Sequence, residues 1–145
     1  MAVHIRTGRP TDIEGLVALD EVTRRDPGRI AFIEEAVHAG NCFVAVAAGG
    51  ERLAGYGVLT YHFYGNGMIE MLYVARDCRR AGVGRALLAY AEARCRTAKI
   101  FTSTNLSNKP MQLLLEKSGY VPSGYIDNLD PGDPELVYFK RLRDD

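Results

Sequence analysis

The chain has 145 residues, 47% of them hydrophobic, a size and composition that suit one domain with its own core. Lys+Arg and Asp+Glu balance at 18 each, so the net charge is zero, which argues against a nucleic-acid binder working by bulk electrostatics. No apolar run approaches the ~20 residues of a membrane span. Met1 to Arg9 lacks the apolar core of a signal peptide, and three cysteines (Cys42, Cys78 and Cys95) without Cys-x-x-Cys spacing suit a reduced cytoplasm.

Val3 to Arg6 reads as a short strand. Thr11 and Glu14 have capping-box spacing, and Ile13, Leu16, Val17 and Val22 give a helix its buried stripe. Pro27-Gly28 is expected to break that helix. A second helix follows from about Arg29 to Ala39, with Ile30, Ile33 and Val37 on one face and Gly40 as its C-terminal cap. Asn41 to Ala48 and Arg52 to Phe63 read as strands joined at Gly49-Gly50, and Gly65-Asn66-Gly67 is a further turn. The next strand, Met68 to Val74, is almost entirely apolar but carries Glu70. A helix from Val83 to Ala98 crosses over, so Ile100 to Ser103 should pair in parallel with Met68 to Val74. Asn108 to Ser118 is a helix with Pro110 in its first turn and Met111, Leu114 and Leu115 facing inward. Tyr120 to Ile126 and Leu136 to Arg141 close the chain as a strand pair, separated by an acidic loop over Asp127 to Glu135.

The chemistry concentrates between Met68 and Ala98. The turn from Arg76 to Gly84 holds Arg76, Arg79 and Arg80 together with Gly82 and Gly84. Glycines let the backbone approach a ligand closely. Helix-start amides point outward unpaired at the positive end of the helix dipole. With arginines added, the combination suits phosphate or pyrophosphate. The ATP-type loop requires Lys-Ser or Lys-Thr after its last glycine, but Arg85 stands there. The dinucleotide loop requires a third glycine where Leu87 stands.

What the turn does fit is R-x-x-G-x-G, as Arg79, Gly82 and Gly84, after a strand ending Leu72-Tyr73-Val74. This resembles the acyl-CoA pyrophosphate loop of the GNAT superfamily of N-acetyltransferases. A second matching motif runs from Asn108 through Leu114, Lys117 and Gly119 to Tyr120. Met111 departs from it where a small residue is usual, and Leu115 where a tyrosine is usual. The order of elements resembles the family's from end to end. The resemblance therefore implies a single α/β (α+β) domain over residues 1–145. Its mixed central sheet should have six to seven strands, a splayed fourth/fifth pair and about four flanking helices.

The same resemblance implies acetyl-CoA as cosubstrate, no metal, and direct transfer of acetyl to a primary amine on a small molecule or peptide. Cofactor-binding positions are Leu72, Tyr73, Val74, Arg79, Arg80, Ala81, Gly82, Val83, Gly84, Arg85 and Asn108. Glu70 is the candidate general base, set among apolar residues on its strand face; its alternative is a structural ion pair with an arginine. Main-chain groups of Leu72 to Val74 would serve the thioester. Leu115 cannot protonate the leaving thiolate, which leaves Tyr73, Tyr120, Tyr125 or water. Cys78 lies beside arginines that favour its thiolate, without an expected catalytic use. His4, His38 and His62 have no metal spacing; His62 reads as a surface hairpin residue or a lining of the acceptor pocket. Glu34, Glu35, Asp127, Asp130, Asp133 and Glu135 would favour a cationic acceptor or serve as solvated charge. The resemblance also implies a homodimer, with the closing strands as its place. No nucleic acid or membrane partner is expected. A non-catalytic acyl-CoA sensor, motivated by Leu115, is the alternative function, and an unrelated nucleotide binder using the same loop is a third reading.

Overall fold

A computed structural model describes residues 1–144. Seven strands form one mixed sheet: β1 Val3–Thr7, β2 Cys42–Ala47, β3 Leu53–Phe63, β4 Asn66–Val74, β5 Lys99–Asn105, β6 Val121–Ile126 and β7 Glu135–Arg141, in the order β1-β2-β3-β4-β5-β7-β6. Four α-helices accompany them: α1 Ile13–Leu19, α2 Pro27–His38, α3 Val83–Arg94 and α4 Lys109–Lys117. Contacts divide the chain into two compact units, one of Met1–Leu59 with Met71–Ala91, the other of Thr60–Glu70 with Glu92 onward.

In the first unit β2 pairs antiparallel with β1 and β3, with Ile5 opposite Ala45 and Val44 opposite Tyr56. Cys42 to Val46 is buried throughout, as expected of an apolar run covered on both faces. Leu16, Ile33 and Val37 from α1 and α2 pack with Val44, Val46, Tyr56 and Val58 into the core. Gly55 and Gly57 open β3 to its neighbours. A side chain at Gly55 would stand 2.6 Å from the Tyr73 carbonyl, and one at Gly57 would meet the Phe43 ring.

Helix entry differs from the sequence expectation twice. Pro10–Asp12 is a 3-10 turn, and α1 begins at Ile13. Asp12, rather than Thr11, organises this start: it accepts from the Arg9 amide at 2.7 Å and from both terminal nitrogens of Arg6 at 2.8 and 3.0 Å. Pro27 starts α2 rather than breaking the preceding helix. It lies in the first turn, where a missing N–H costs nothing, and Asp26 caps by accepting from Gly28 N at 2.9 Å. Val22 lies in a separate 3-10 turn, Glu21–Arg24, rather than in the first helix.

In the second unit β4 and β5 run parallel, as expected. Their register covers Gly67–Ile69 against Ile100–Thr102, and β4 continues past it from Glu70 to Val74. By contrast β5 pairs antiparallel with β7 along its whole length, Lys99 with Arg141 through Asn105 with Glu135. Phe63, Phe101 and Phe139 stack in series with centroids 5.0 and 5.7 Å apart. α3 stops at Arg94 rather than Ala98, and Arg143 donates to the carbonyls of Cys95 and Thr97 beyond its end at 3.0 and 2.7 Å. The Thr97 hydroxyl meanwhile accepts from Gly67 N and donates to Lys99 O. Among the described residues no helix is long and apolar enough to cross a membrane.

Candidate active site

The residues expected at the site fall in both units. Leu72 to Val74 and Arg79 to Arg85 belong to the first; Glu70 and Asn108 belong to the second.

In the first unit the chain leaves β4 at Val74, makes a 3-10 turn over Arg76–Cys78 and enters α3 at Val83. Cys78 is fully buried and anchors this turn, its amide donating to Ala75 O at 2.9 Å. Val83, Leu87, Leu88 and Ala91 seat α3 in the core. Between these anchors the loop is exposed or half-buried. Arg80 (φ 61°) and Gly82 (φ 86°) both take the left-handed conformation that turns the chain into the helix. The first helical amide bond runs from Ala86 N to Gly82 O at 3.1 Å. The amides of Val83, Gly84 and Arg85 therefore have no acceptor within the helix.

The arginines do not act alike. Arg76 forks onto the Glu21 carboxylate at 2.7 to 3.1 Å, which holds that carboxyl below its usual range. Asp77 is paired with Arg52. Arg79 donates from Nε to Val74 O at 3.0 Å, and its guanidinium lies 5.4 Å from the Tyr73 ring centroid. Arg80 and Arg85 are exposed. Burial pushes the Cys78 thiol up, with Asp77 beside it adding to the effect, opposite to the lowering expected from the neighbouring arginines.

In the second unit the Glu70 side chain is 29% exposed rather than wrapped in apolar side chains. Its Oε2 accepts a hydrogen bond from the buried Thr60 hydroxyl and lies 3.5 Å from Nδ1 of His62. Glu70, His62, Phe63 and Met68 line an open depression of about 340 Å³. The ion pair weighed as Glu70's alternative role, one with an arginine, is absent among the described residues; its neighbours are a hydroxyl and an imidazole. Asn108 caps α4, accepting from Met111 N at 3.2 Å. No hydrogen bond joins it to Glu70 among the described residues.

Among the described residues no side chain stands out as proton donor to a leaving thiolate. Leu115 is buried and has no donor. The Tyr73 hydroxyl accepts from the Glu21 amide at 3.1 Å. Tyr120 donates to Glu92 at 2.9 Å, and burial lifts its phenol well above the usual range. Tyr125 is exposed on β6. Of the acidic loop, Asp133 accepts from both the amide and hydroxyl of Ser107, Asp130 from Asn105 and Glu135 from Ser103. These carboxylates fasten the loop to β5 and to the turn before α4. Asp127, Glu34 and Glu35 remain exposed.

Sequence reasoning missed two groupings. Asp20, fully buried, accepts from Tyr56 OH at 2.6 Å and from Arg29 at 3.0 Å, uniting three distant segments of the first unit. Thr60 beside Glu70 was also missed. The two residues stand equally far from Gly65 in the hairpin turn, and that symmetry is the signal that would have found the pair.

Residues 12–120 match the Acetyltransferase (GNAT) family. No curated protein matches the chain. Among solved structures, a GNAT-family acetyltransferase from Bacillus cereus ATCC 10987 is 26% identical with a TM-score of 0.89, covering 97% of this chain and 98% of its own. Ard1 from Thermoplasma volcanium is 20% identical with a TM-score of 0.84, covering 99% and 100%. The NatC complex bound to Gag peptide and CoA aligns at 17% identity with a TM-score of 0.77, again over 99% and 100%. The family match spans most of the chain and takes in the β4–loop–α3 segment: this protein belongs to the GNAT family of acetyltransferases.

Proposed function

We propose that the chain acts as one N-acetyltransferase domain, moving an acetyl group from acetyl-CoA to a primary amine by direct attack. The observation that carries this reading is the loop between β4 and α3. Two left-handed residues turn it into the helix, and helix-start amides without helical acceptors follow. In this role the amides from Arg80 through Ala81, Gly82, Val83 and Gly84 to Arg85 hold the pyrophosphate. The main chain of Leu72, Tyr73 and Val74, with Asn108, serves the pantetheine arm and the thioester oxygen.

Glu70 is the base. An ammonium gives one proton to its carboxylate, directly or through water, and the freed nitrogen pair attacks the thioester carbon. The tetrahedral intermediate collapses with cleavage of the C–S bond, and the thiolate leaves with the bonding pair. The amide nitrogen loses its second proton, the thiolate gains one from solvent, and Glu70 returns its own to solvent. Water suits the role of acid because Leu115 offers no donor.

The acceptor is a small-molecule or peptide amine. Structural neighbours include a nourseothricin acetyltransferase and the peptide-bound NatC complex, so both kinds occur on this fold. Unpaired Cys42, Cys78 and Cys95 are in keeping with a reducing, cytoplasmic setting. Buried Leu115 also motivates the second reading, a non-catalytic acyl-CoA sensor. Titration calorimetry with acetyl-CoA, ATP and NAD tests the loop: binding of acetyl-CoA alone supports it, and binding of ATP or NAD instead refutes it. Amine-dependent thiol release then separates enzyme from sensor.

A further inference from the structure

Thr60 is the observation that the family reading does not absorb. It is buried near the end of β3, and its hydroxyl donates to Oε2 of Glu70. Valine would serve a buried strand position equally well, so strand formation does not call for the hydroxyl. A buried hydroxyl requires a partner, and here that partner is the candidate base. His62 brings Nδ1 to 3.5 Å from the same oxygen. Two groups therefore converge on Oε2, while Oε1 has no hydrogen-bond partner among the described residues.

We infer that Thr60 is a positioning residue for the reaction: it pins Oε2 of Glu70, so that Oε1 is the atom that takes the proton from the acceptor ammonium. His62, 81% exposed, flanks Oε2 at the rim of the depression that Glu70 lines. The inference rests on the proposed role of Glu70 as base. A carboxylate free to rotate about its last bond offers either oxygen in many orientations, whereas one held at Oε2 presents Oε1 in few. Such orientation of a reacting group raises rate without altering binding of the other substrate.

Free-thiol release from acetyl-CoA, with tyramine and spermidine as acceptors, provides the test. Glu70→Gln should lower kcat about 100-fold. Thr60→Val should lower it about tenfold with acetyl-CoA KM unchanged, and Thr60→Ser should restore it. In the Glu70→Gln background Thr60→Val should cost nothing further, because a residue acting through Glu70 has nothing left to position. If Thr60→Val does not fold, Thr60→Cys, with its weak donor, replaces it with the same expected loss. A wild-type rate in Thr60→Val beside an impaired Glu70→Gln overturns the positioning role and leaves the base intact. An equal loss from Thr60→Val in both backgrounds also overturns it. Wild-type rates in both single variants overturn the base itself.

Discussion

Arg79 folds back onto the strand it follows: its Nε donates to the Val74 carbonyl at 3.0 Å, and its guanidinium lies 5.4 Å from the Tyr73 ring centroid. This arginine closes the loop instead of standing free at its tip. Arg76 is likewise engaged, with Glu21. Pyrophosphate binding therefore falls mainly to the backbone amides that follow.

That division can be measured at two neighbouring residues. Arg80 holds a positive φ, which costs a non-glycine residue about 1–2 kcal/mol. Arg80→Gly removes the charge but relaxes the backbone, so acetyl-CoA affinity should fall only about threefold, under ~1 kcal/mol. Gly82→Val strains a residue at φ 86° and should weaken binding more than about tenfold. Titration calorimetry on the two variants reads both values. The reverse ranking would move phosphate recognition to the Arg80 side chain.

Asp20 is expected to dominate the stability of the first unit. It is fully buried, with Tyr56 and Arg29 on one oxygen and the Val22 amide on the other. Asp20→Ala leaves a largely buried guanidinium unpaired and should cost about 3–5 kcal/mol. Tyr56→Phe removes one hydrogen bond and should cost about 1–2 kcal/mol. Urea unfolding of the two variants gives both figures.

The Arg6–Asp12 pair makes stability depend on acid. The Arg6 guanidinium, with the Arg9 amide, holds the Asp12 carboxyl below its ordinary value of 3.8. A lowered folded-state value means that the unfolded chain takes up the proton first as pH falls. The contribution is thus fully present above about pH 4 and is lost as pH falls through the folded-state value. Asp12→Asn should be less stable than wild type near neutrality, and the gap should close as pH falls through the lowered folded-state value of Asp12. Urea midpoints measured across that range provide the check.

The sequence carried the succession of strands and helices along the chain, and the loop, because both rest on local signals. Alternating and continuous apolar runs mark the strands, and Gly82 marks the turn into α3. Its failures come where the hydrogen-bond partner of a side chain, near or far along the chain, decides. Pro27 reads as a breaker until Asp26 is seen capping a helix that starts there. Thr11 loses the start of α1 to Asp12 because Arg6, on β1, holds that carboxylate. The acidic loop reads as free charge, yet Asp130, Asp133 and Glu135 each accept a hydrogen bond from β5 or the turn after it. Glu70 was legible as a carboxylate in an apolar strand. Its hydroxyl neighbour was not, because that required the hairpin register and not the composition of either strand.

Free-thiol release, when a primary amine is added to the folded protein saturated with acetyl-CoA, separates an acetyltransferase from an acyl-CoA sensor. An acetyltransferase should bind acetyl-CoA at micromolar concentration, about −8 kcal/mol, and release thiol on addition of amine, matched mole for mole by N-acetylated product. Acetyl-CoA binding with no thiol release above background for any amine, small molecule or peptide, would contradict the account and make the protein an acyl-CoA sensor.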